Sequence, residues 1–269
     1  MISIIGLGFV GSAMTKSFEL KGNKILKYDK YKKIGSLEIC LKSKIIFLAL
    51  PTPFINNKYD ISAIIETCDK LQKYNYNGLV VLKSTVEPET INNLENKYNL
   101  NFCHNPEFLT ARTAFNDFHN QIHIVLGKGE KCDGELFNNL LSFYKKNYPH
   151  AYISTCSTLE SESMKIFLNC FYATKVQFFN ELYLTCKKNG SNYKKIKEMM
   201  LLNNWINPMH TDVPGPDGKL SYGGLCFPKD TNALNSYMKS NKIPNKVLEA
   251  TIKERDQMRE DHDNCFKTI

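Results

Sequence analysis

The chain has 269 residues, 35 Lys and Arg against 27 Asp and Glu, a formal net charge of +8 and a hydrophobic content of 42%. That apolar fraction excludes a mainly disordered chain, and the length suits one large domain or two ordinary ones whose dry core needs no disulfide or metal staple. The positive excess is lysine, with arginine only at positions 112, 255 and 259; a diffuse lysine field without guanidinium forks makes nucleic acid an unfavoured partner.

Met1 to Ile5 is a short apolar run that suits a buried parallel strand and leaves no room for a signal peptide. Phe9 to Leu20 reads as a helix closed by Gly22, and Lys24 to Tyr28 as a second strand. Lys44 to Leu50 is a third strand, stopped by Pro51-Thr52-Pro53. Ile61, Ile64, Ile65, Cys68 and Leu71 have helical spacing within Ile61 to Tyr74. Leu79 to Leu82 is a strand and Pro88 to Tyr98 a helix. Two strands follow at Asn101 to His104 and Ile122 to Leu126, then a helix from Glu130 to Lys146 and a last short strand from Ala151 to Ser154. Strands alternating with helices predict βαβ units, and hence an α/β fold with a doubly wound parallel sheet over residues 1–156.

The pattern changes near residue 157. Thr158 to Lys188 lacks Gly and Pro and keeps helical apolar spacing throughout. Tyr193 to Leu202 is a second helix, Asn207 to Pro228 a loop rich in Pro and Gly, and helices resume near Asp230 and Pro244. Residues 157–269 therefore read as an all-helical domain reached through one long connecting helix. Met164, Phe167, Leu168, Phe171, Tyr172, Val176, Phe178, Phe179 and Leu182 make that helix apolar on more than one face, which requires burial on several sides, either within the chain or against a partner. The expected cover is a second copy of the chain, giving a homodimer through 158–188.

The nine cysteines, Cys40, Cys68, Cys103, Cys132, Cys156, Cys170, Cys186, Cys226 and Cys265, are odd in number and without CxxC pairs. This argues against a disulfide framework and against a zinc site, and fits a reducing cytoplasmic setting. No apolar run reaches the roughly 18 residues of a membrane span.

Two segments carry chemistry. Gly6-Leu7-Gly8-Phe9-Val10-Gly11 matches G-x-G-x-x-G between the first strand and the first helix, and Asp29 follows at the end of the second strand. This context predicts a dinucleotide site: Gly6 for the tight turn, Gly8 for approach of the pyrophosphate, Gly11 for helix–strand packing, and Asp29 for the ribose hydroxyls. That acid favours NAD over NADP, although Lys30, Lys32 and Lys33 nearby would tolerate a 2′-phosphate. The second segment is Gly223-Gly224-Leu225-Cys226-Phe227-Pro228-Lys229-Asp230. A cysteine at a helix start beside a lysine favours the thiolate. The two glycines would let a substrate approach the backbone, and Asp230 would orient water or accept a proton.

Several segments together resemble the UDP-glucose/GDP-mannose dehydrogenases. They are Ile5 to Gly11, Leu50-Pro51-Thr52-Pro53, Lys83-Ser84-Thr85-Val86, Asn105-Pro106-Glu107-Phe108-Leu109, Glu162-Ser163-Met164-Lys165 through Asn169, Phe179-Asn180-Glu181-Leu182, Val213 to Gly218, and Gly224 to Asp230. The resemblance spans roughly residues 1 to 245. It implies a Rossmann domain, NAD as cofactor, and oxidation of the primary alcohol of a nucleotide sugar to a carboxylate in two hydride transfers. It implies Cys226 as nucleophile, passing through a thiohemiacetal and a thioester, Lys165 and Asn169 as oxyanion donors, and Asp230 as an aid to water or proton transfer. Glu107 would act with a water as acid and base, with Thr85 beside it. Gly6, Gly8, Phe9, Val10, Gly11, Asp29, Lys33, Thr52, Thr85 and Lys229 would hold the cofactor. Glu107, Phe108, Leu109, Lys165, Asn169, Pro216 and Gly223 would meet the substrate. UDP-glucose is the first expectation, with GDP-mannose or a UDP-N-acetylhexosamine as alternatives.

Two departures stand out. Family members often carry an acid four positions after the Glu of the Asn-Pro-Glu-Phe-Leu segment, where this chain has Ala111. They also usually carry a third, nucleotide-binding domain, for which too few residues remain after Pro244. A catalytically impaired binder of dinucleotide or nucleotide sugar is the competing expectation.

Overall fold

The computed structural model describes residues 1–261; Cys265 lies outside the described residues. The chain forms two compact units. The first comprises Met1–Thr52 and Asp60–Lys165, and the second comprises Pro53–Tyr59 and the chain from Ile166 onward.

The first unit begins with β1 (Ile2–Ile5), α1 (Phe9–Leu20), β2 (Ile25–Tyr28), α2 (Leu37–Cys40) and β3 (Ile45–Leu48). The chain then gives β4 (Phe54–Ile55) and β5 (Lys58–Tyr59) to the second unit. It returns with α3 (Ser62–Lys73), β6 (Leu79–Leu82), α4 (Thr90–Lys97), β7 (Asn101–His104), α5 (Ala114–His119), β8 (His123–Lys128), α6 (Gly134–Asn147) and β9 (Tyr152–Ser157). Seven strands make one sheet in the order β2-β1-β3-β6-β7-β8-β9. β1, β3 and β6 are buried throughout their length, as expected of strands covered by helices on both faces.

Alternate side chains feed two cores. Ile4, Phe47 and Val81 join the cluster of Phe18, Phe118 and Tyr144, whereas Ile5, Leu48 and Leu82 join that of Ile64, Leu71 and Ile91. The period of two along each strand places these sets on opposite faces of the sheet. Phe18 anchors the first core, with ring centroids 5.8 Å from Phe47 and 5.5 Å from Phe118.

The expected doubly wound sheet is present, with one local difference. β7 and β8 pair antiparallel, while every other neighbouring pair in the sheet is parallel. The connection between them holds only a 3-10 turn (Ala111–Thr113) and the six-residue α5. α5 packs on α1 through Phe118 and Phe18 and does not carry the chain back across the sheet as a parallel connection requires.

The second unit contains most of α7 (Thr158–Asn189), with α8 (Tyr193–Leu201), α9 (Phe227–Ser240) and α10 (Lys246–Met258). It is helical as expected, but gains the β4–β5 hairpin. On α7, Ile166, Cys170, Ala173 and Phe179 are buried, whereas Phe167, Phe171 and Phe178 remain 53%, 63% and 53% exposed. Among the described residues no helix is long and apolar enough to cross a membrane.

Candidate active site

The glycine turn leaves the carboxyl end of β1. Gly6 has φ +88°, and its N–H donates to the Tyr28 carbonyl at 2.9 Å. A Cβ at Gly11 would overlap the Gly6 carbonyl oxygen, so helix and strand meet through bare backbone. Gly8 differs: it is exposed, and a Cβ there would find nothing within 4 Å. Gly8 is also the N-cap of α1, and no side chain caps that helix end. Phe9 is exposed and Val10 half-buried in the first turn. Open space over uncapped helix N–H groups fits a pyrophosphate.

Asp29 closes β2 against this turn. Its Oδ2 accepts from the Leu7 N–H at 2.7 Å, and its Oδ1 from the N–H groups of Tyr31 and Lys32 at 3.0 and 2.8 Å. Burial pushes the carboxyl up, but the N–H groups of Lys32, Leu7 and Tyr31 outweigh it and hold Asp29 below the usual carboxylate range. The carboxylate is therefore ionised and fixed, and its spare lone pairs suit ribose hydroxyls. Lys33 lies exposed in the following turn at φ 54°. It is Lys32 whose ammonium reaches the turn, donating to the Leu7 carbonyl at 2.5 Å.

β1 has β2 on one side and β3 on the other, so the topological switch point, where doubly wound sheets bind ligands, lies between β1 and β3. Thr52 follows β3 there and donates to the Thr85 carbonyl after β6 at 2.7 Å. Ser84 and Leu50 tie the same two loops, the Ser84 hydroxyl donating to the Leu50 carbonyl at 2.6 Å and accepting from its N–H at 3.1 Å.

Glu107 follows β7 in the first unit. Its Oε1 lies 3.3 Å from Lys165 Nζ, with both side chains buried, and its Oε2 accepts from the Leu109 N–H at 2.6 Å. Lys165 also stands 5.4 Å from the Phe108 ring, which stacks on His123. Sequence reasoning missed what holds this turn. Buried Lys83 donates to Asn105 Oδ1 at 3.0 Å and to the Pro106 carbonyl at 3.1 Å, and Tyr144 donates to Asn105 Oδ1 at 2.5 Å. Burial pushes Lys83 down to about 7, against the pull of Glu107. Burial likewise pushes His104 down to about 3, leaving it neutral beside Ser161. The available signal was Lys83 within Lys-Ser-Thr-Val, a charged residue directly after an all-apolar strand. Near Ala111, the carboxylate of Asp117 turns back to accept from the Thr110 N–H and the Thr113 hydroxyl at 2.9 and 2.7 Å.

In the second unit Cys226 is half-buried at the N-cap of α9, whose second residue is Pro228. The helix begins at Phe227, earlier than expected, because proline is tolerated in the first turn. Asp230, one turn on, is fully buried and well paired. Its Oδ2 accepts from Asn169 Nδ2 at 2.6 Å, and its Oδ1 from the Tyr59 hydroxyl and Lys229 Nζ, both at 2.5 Å. Tyr59, on β5, is a partner that sequence reasoning did not name. Pro216 is exposed in the preceding loop. Gly223 departs from expectation: the space its missing side chain leaves is filled by the Arg259 guanidinium, while Gly224, at φ +77°, has nothing within 4 Å. The first unit thus holds Thr52, Thr85, Glu107, Phe108, Leu109 and Lys165, and the second holds Asn169, Pro216, Gly223, Cys226, Lys229 and Asp230.

Residues 35–146 match the NAD binding domain of the UDP-glucose/GDP-mannose dehydrogenase family, and residues 159–256 its central domain. The chain is 34% identical over 215 residues to a UDP-glucose 6-dehydrogenase of Rickettsia bellii, covering 77% of this chain and 48% of the relative. It spans about half the length of the curated relatives it matches. A UDP-glucose dehydrogenase of Pyrobaculum islandicum shares the fold, with a TM-score of 0.80 and 23% identity over 95% of this chain and 68% of that one. A Mycobacterium tuberculosis 3-hydroxyisobutyrate dehydrogenase shares it at a TM-score of 0.74 and 14% identity, over 98% of this chain and 94% of that one. With two successive family domains matched in order, and the glycine turn of an NAD binding domain formed at β1, the chain belongs to the UDP-glucose/GDP-mannose dehydrogenase family.

Proposed function

We propose that the chain oxidises the primary alcohol of a nucleotide sugar to the carboxylate, with UDP-glucose as the first substrate to test. The observation that carries this reading is Cys226 at the start of α9 with ionisable Asp230 one turn away, buried and held by Tyr59, Asn169 and Lys229. NAD, when bound, accepts a hydride in each of the two oxidations. Gly8, Phe9 and Val10 would hold its pyrophosphate, Asp29 its ribose, and Thr52, Thr85 and Lys229 further parts of it.

The chain's own groups divide the remaining work. Glu107, with a water, takes the proton of the alcohol as it becomes an aldehyde. Cys226, as the thiolate, adds to the aldehyde carbon, forming a C–S bond as the C=O π pair moves onto oxygen; the resulting hemithioacetal alkoxide is stabilised by donors from Lys165 and Asn169 and re-forms the C=O bond as the second hydride leaves. Loss of a second hydride leaves a thioester on Cys226. Water then breaks the C–S bond, releasing the carboxylate and the thiol, with Asp230 positioning the water or receiving its proton. Phe108, Leu109 and Pro216 would border the sugar. The exposed phenylalanines of α7 support a homodimer, since rings this exposed along one helix call for a partner.

The test incubates the protein with NAD and, separately, UDP-glucose, GDP-mannose and a UDP-N-acetylhexosamine, following NADH absorbance and the mass of the Cys226 peptide. The expected result is two NADH per sugar acid with one of the sugars, and no sugar acid and no sustained turnover in Cys226→Ser. NADH formation with no nucleotide hexose overturns the reading. A thioester that accumulates without release would place the weak step at hydrolysis and favour the impaired binder, with Ala111 as its cause.

A further inference from the structure

Two of the three arginines in the chain, Arg255 and Arg259, are 3% and 5% exposed and converge on one loop. Arg259 Nη1 donates to the Leu220 and Ser221 carbonyls at 3.0 and 3.5 Å, and its Nη2 to Asp217 Oδ2 at 2.7 Å. Arg255 Nε donates to the Tyr222 carbonyl at 3.3 Å, and its guanidinium stands 5.9 Å from the Tyr222 ring. Three successive carbonyls thus face guanidinium donors. Asp261 joins the two arginines, accepting from Arg255 Nη2 at 2.6 Å and from Arg259 Nε and Nη2 at 3.0 and 2.6 Å. Ser221 sits in the left-handed region at φ 55° and is pinned from α7: its N–H donates to Asn180 Oδ1 at 2.9 Å and its hydroxyl to Gln177 Oε1 at 2.5 Å.

We propose that Arg255 and Arg259 are positioning residues for Cys226, a buried latch that fixes the backbone from Asp217 to Gly223 and thereby sets where the thiol stands. The inference rests on the reading of Cys226 as the nucleophile. Only Gly223, Gly224 and Leu225 separate the latched Tyr222 from Cys226, and α9 begins at the next residue. The thiol is therefore placed by two anchors a few residues apart. Gly223 belongs to the latch, since a side chain there would collide with the Arg259 guanidinium. A lysine cannot replace it, because one ammonium is a point donor, whereas the planar fork reaches two carbonyls and two carboxylates together. In a chain this rich in lysine, arginine stands where the fork is needed.

The test compares wild type with Arg259→Lys and the milder Asp217→Asn, whose side chain is 46% exposed. Iodoacetamide labels the ligand-free protein over a range of pH, and peptide masses give the rate at each cysteine. Half-buried Cys156, in the first unit, is the internal control. In Arg259→Lys we expect Cys226 labelling to rise about tenfold as its segment loosens, with Cys156 unchanged. With a turned-over sugar, kcat falls about tenfold while KM stays within about threefold, the pattern of a lost transition-state alignment. Asp217→Asn should shift both in the same direction by less. Should Arg259→Lys fail to fold, Asp217→Asn decides alone. Unchanged Cys226 labelling in a folded variant overturns the proposal. Because labelling needs no turnover, this failure is distinct from a wild type that makes no NADH.

Discussion

Gly8 and Gly11 stand three residues apart in one turn, yet their replacement by alanine should have opposite signatures. At Gly11 the new Cβ would overlap the Gly6 carbonyl oxygen, a backbone atom that no rotamer change can move aside. Forcing a methyl into such a contact costs about 1–3 kcal/mol or more, against a gain of about 0.5–1 kcal/mol for alanine over glycine inside a helix. A net loss of about 1–2 kcal/mol corresponds to a fall of roughly 2–8 °C in melting temperature for a unit of this size. At Gly8 the Cβ meets nothing within 4 Å, and φ of −64° is open to alanine. Stability should hold or rise by about 0.4–1 kcal/mol. The methyl nevertheless occupies the approach to the uncapped N–H groups of α1, so NAD should bind at least about tenfold more weakly, a loss of about 1.4 kcal/mol. Thermal melting without ligand and calorimetric titration with NAD separate the two effects. If Gly8→Ala binds NAD as wild type does, the pyrophosphate does not rest on this turn. If Gly11→Ala melts with wild type, the Gly6–Gly11 contact is not the constraint described.

Other outcomes follow from burial and charge. Burial pushes fully buried Glu162 up to about 8, and its Oε2 has no hydrogen-bond partner, so the carboxyl is protonated at neutral pH. Its folded value lies above its unfolded one, so the stability it contributes is complete below pH 4.5 and lost as pH rises through about 8. Glu162→Gln should therefore match wild type in denaturant unfolding near pH 4.5 and exceed it near pH 9, on the order of a few kcal/mol at about 1.4 kcal/mol per pH unit; equal curves at both pH values would contradict this. Removing either partner of the buried Glu107–Lys165 pair should cost about 3–5 kcal/mol. Lys165→Met combined with Glu107→Gln should cost less than the two singly, by about 1–3 kcal/mol, and additive losses would deny the coupling. Phe171→Asp should convert a dimer to a monomer in sedimentation at micromolar concentration; a wild type that sediments only as a monomer refutes the α7 interface.

Much of the first unit was legible because its signals are local. The apolar runs of β1, β3 and β6 and the bounds of α1 follow from hydrophobic spacing and from glycine placement. The hairpin of β4 and β5 was missed because its strands are two residues long and follow Pro51 and Pro53, which read as a simple stop. Its turn did carry a signal: Asn56 and Asn57 both take positive φ, at 53° and 63°, as a type I′ turn requires and as asparagine tolerates. The antiparallel pairing of β7 with β8 was not legible, since it depends on where α5 packs and not on either strand's sequence. Among the candidate residues, short motifs pointed to Glu107 and Lys165 in the first unit and to Asp230 in the second. They could not reveal distant partners: Tyr59 lies 171 positions from Asp230, and Lys83, which braces the turn that carries Glu107, lies 22 from Asn105. Gly223 shows the opposite error, a glycine whose bareness serves an arginine inside the fold.

The excursion of residues 53–59 has a consequence for how the molecule can be made and divided. The chain passes between units three times, so the second unit is not a continuous stretch of polypeptide. A fragment beginning at Ile166 would contain Cys226 and Asp230 but would leave Asp230 without the Tyr59 hydroxyl, a buried acceptor short of a donor. During synthesis the hairpin segment emerges long before α9, and must wait through more than a hundred residues for the helix it packs against. Loop closure over that separation is slow compared with helix formation. The start of α9 is thus completed late, after the first sheet has its strands, and a cut anywhere between Tyr59 and Asp230 would sever the covalent tie on which that completion depends.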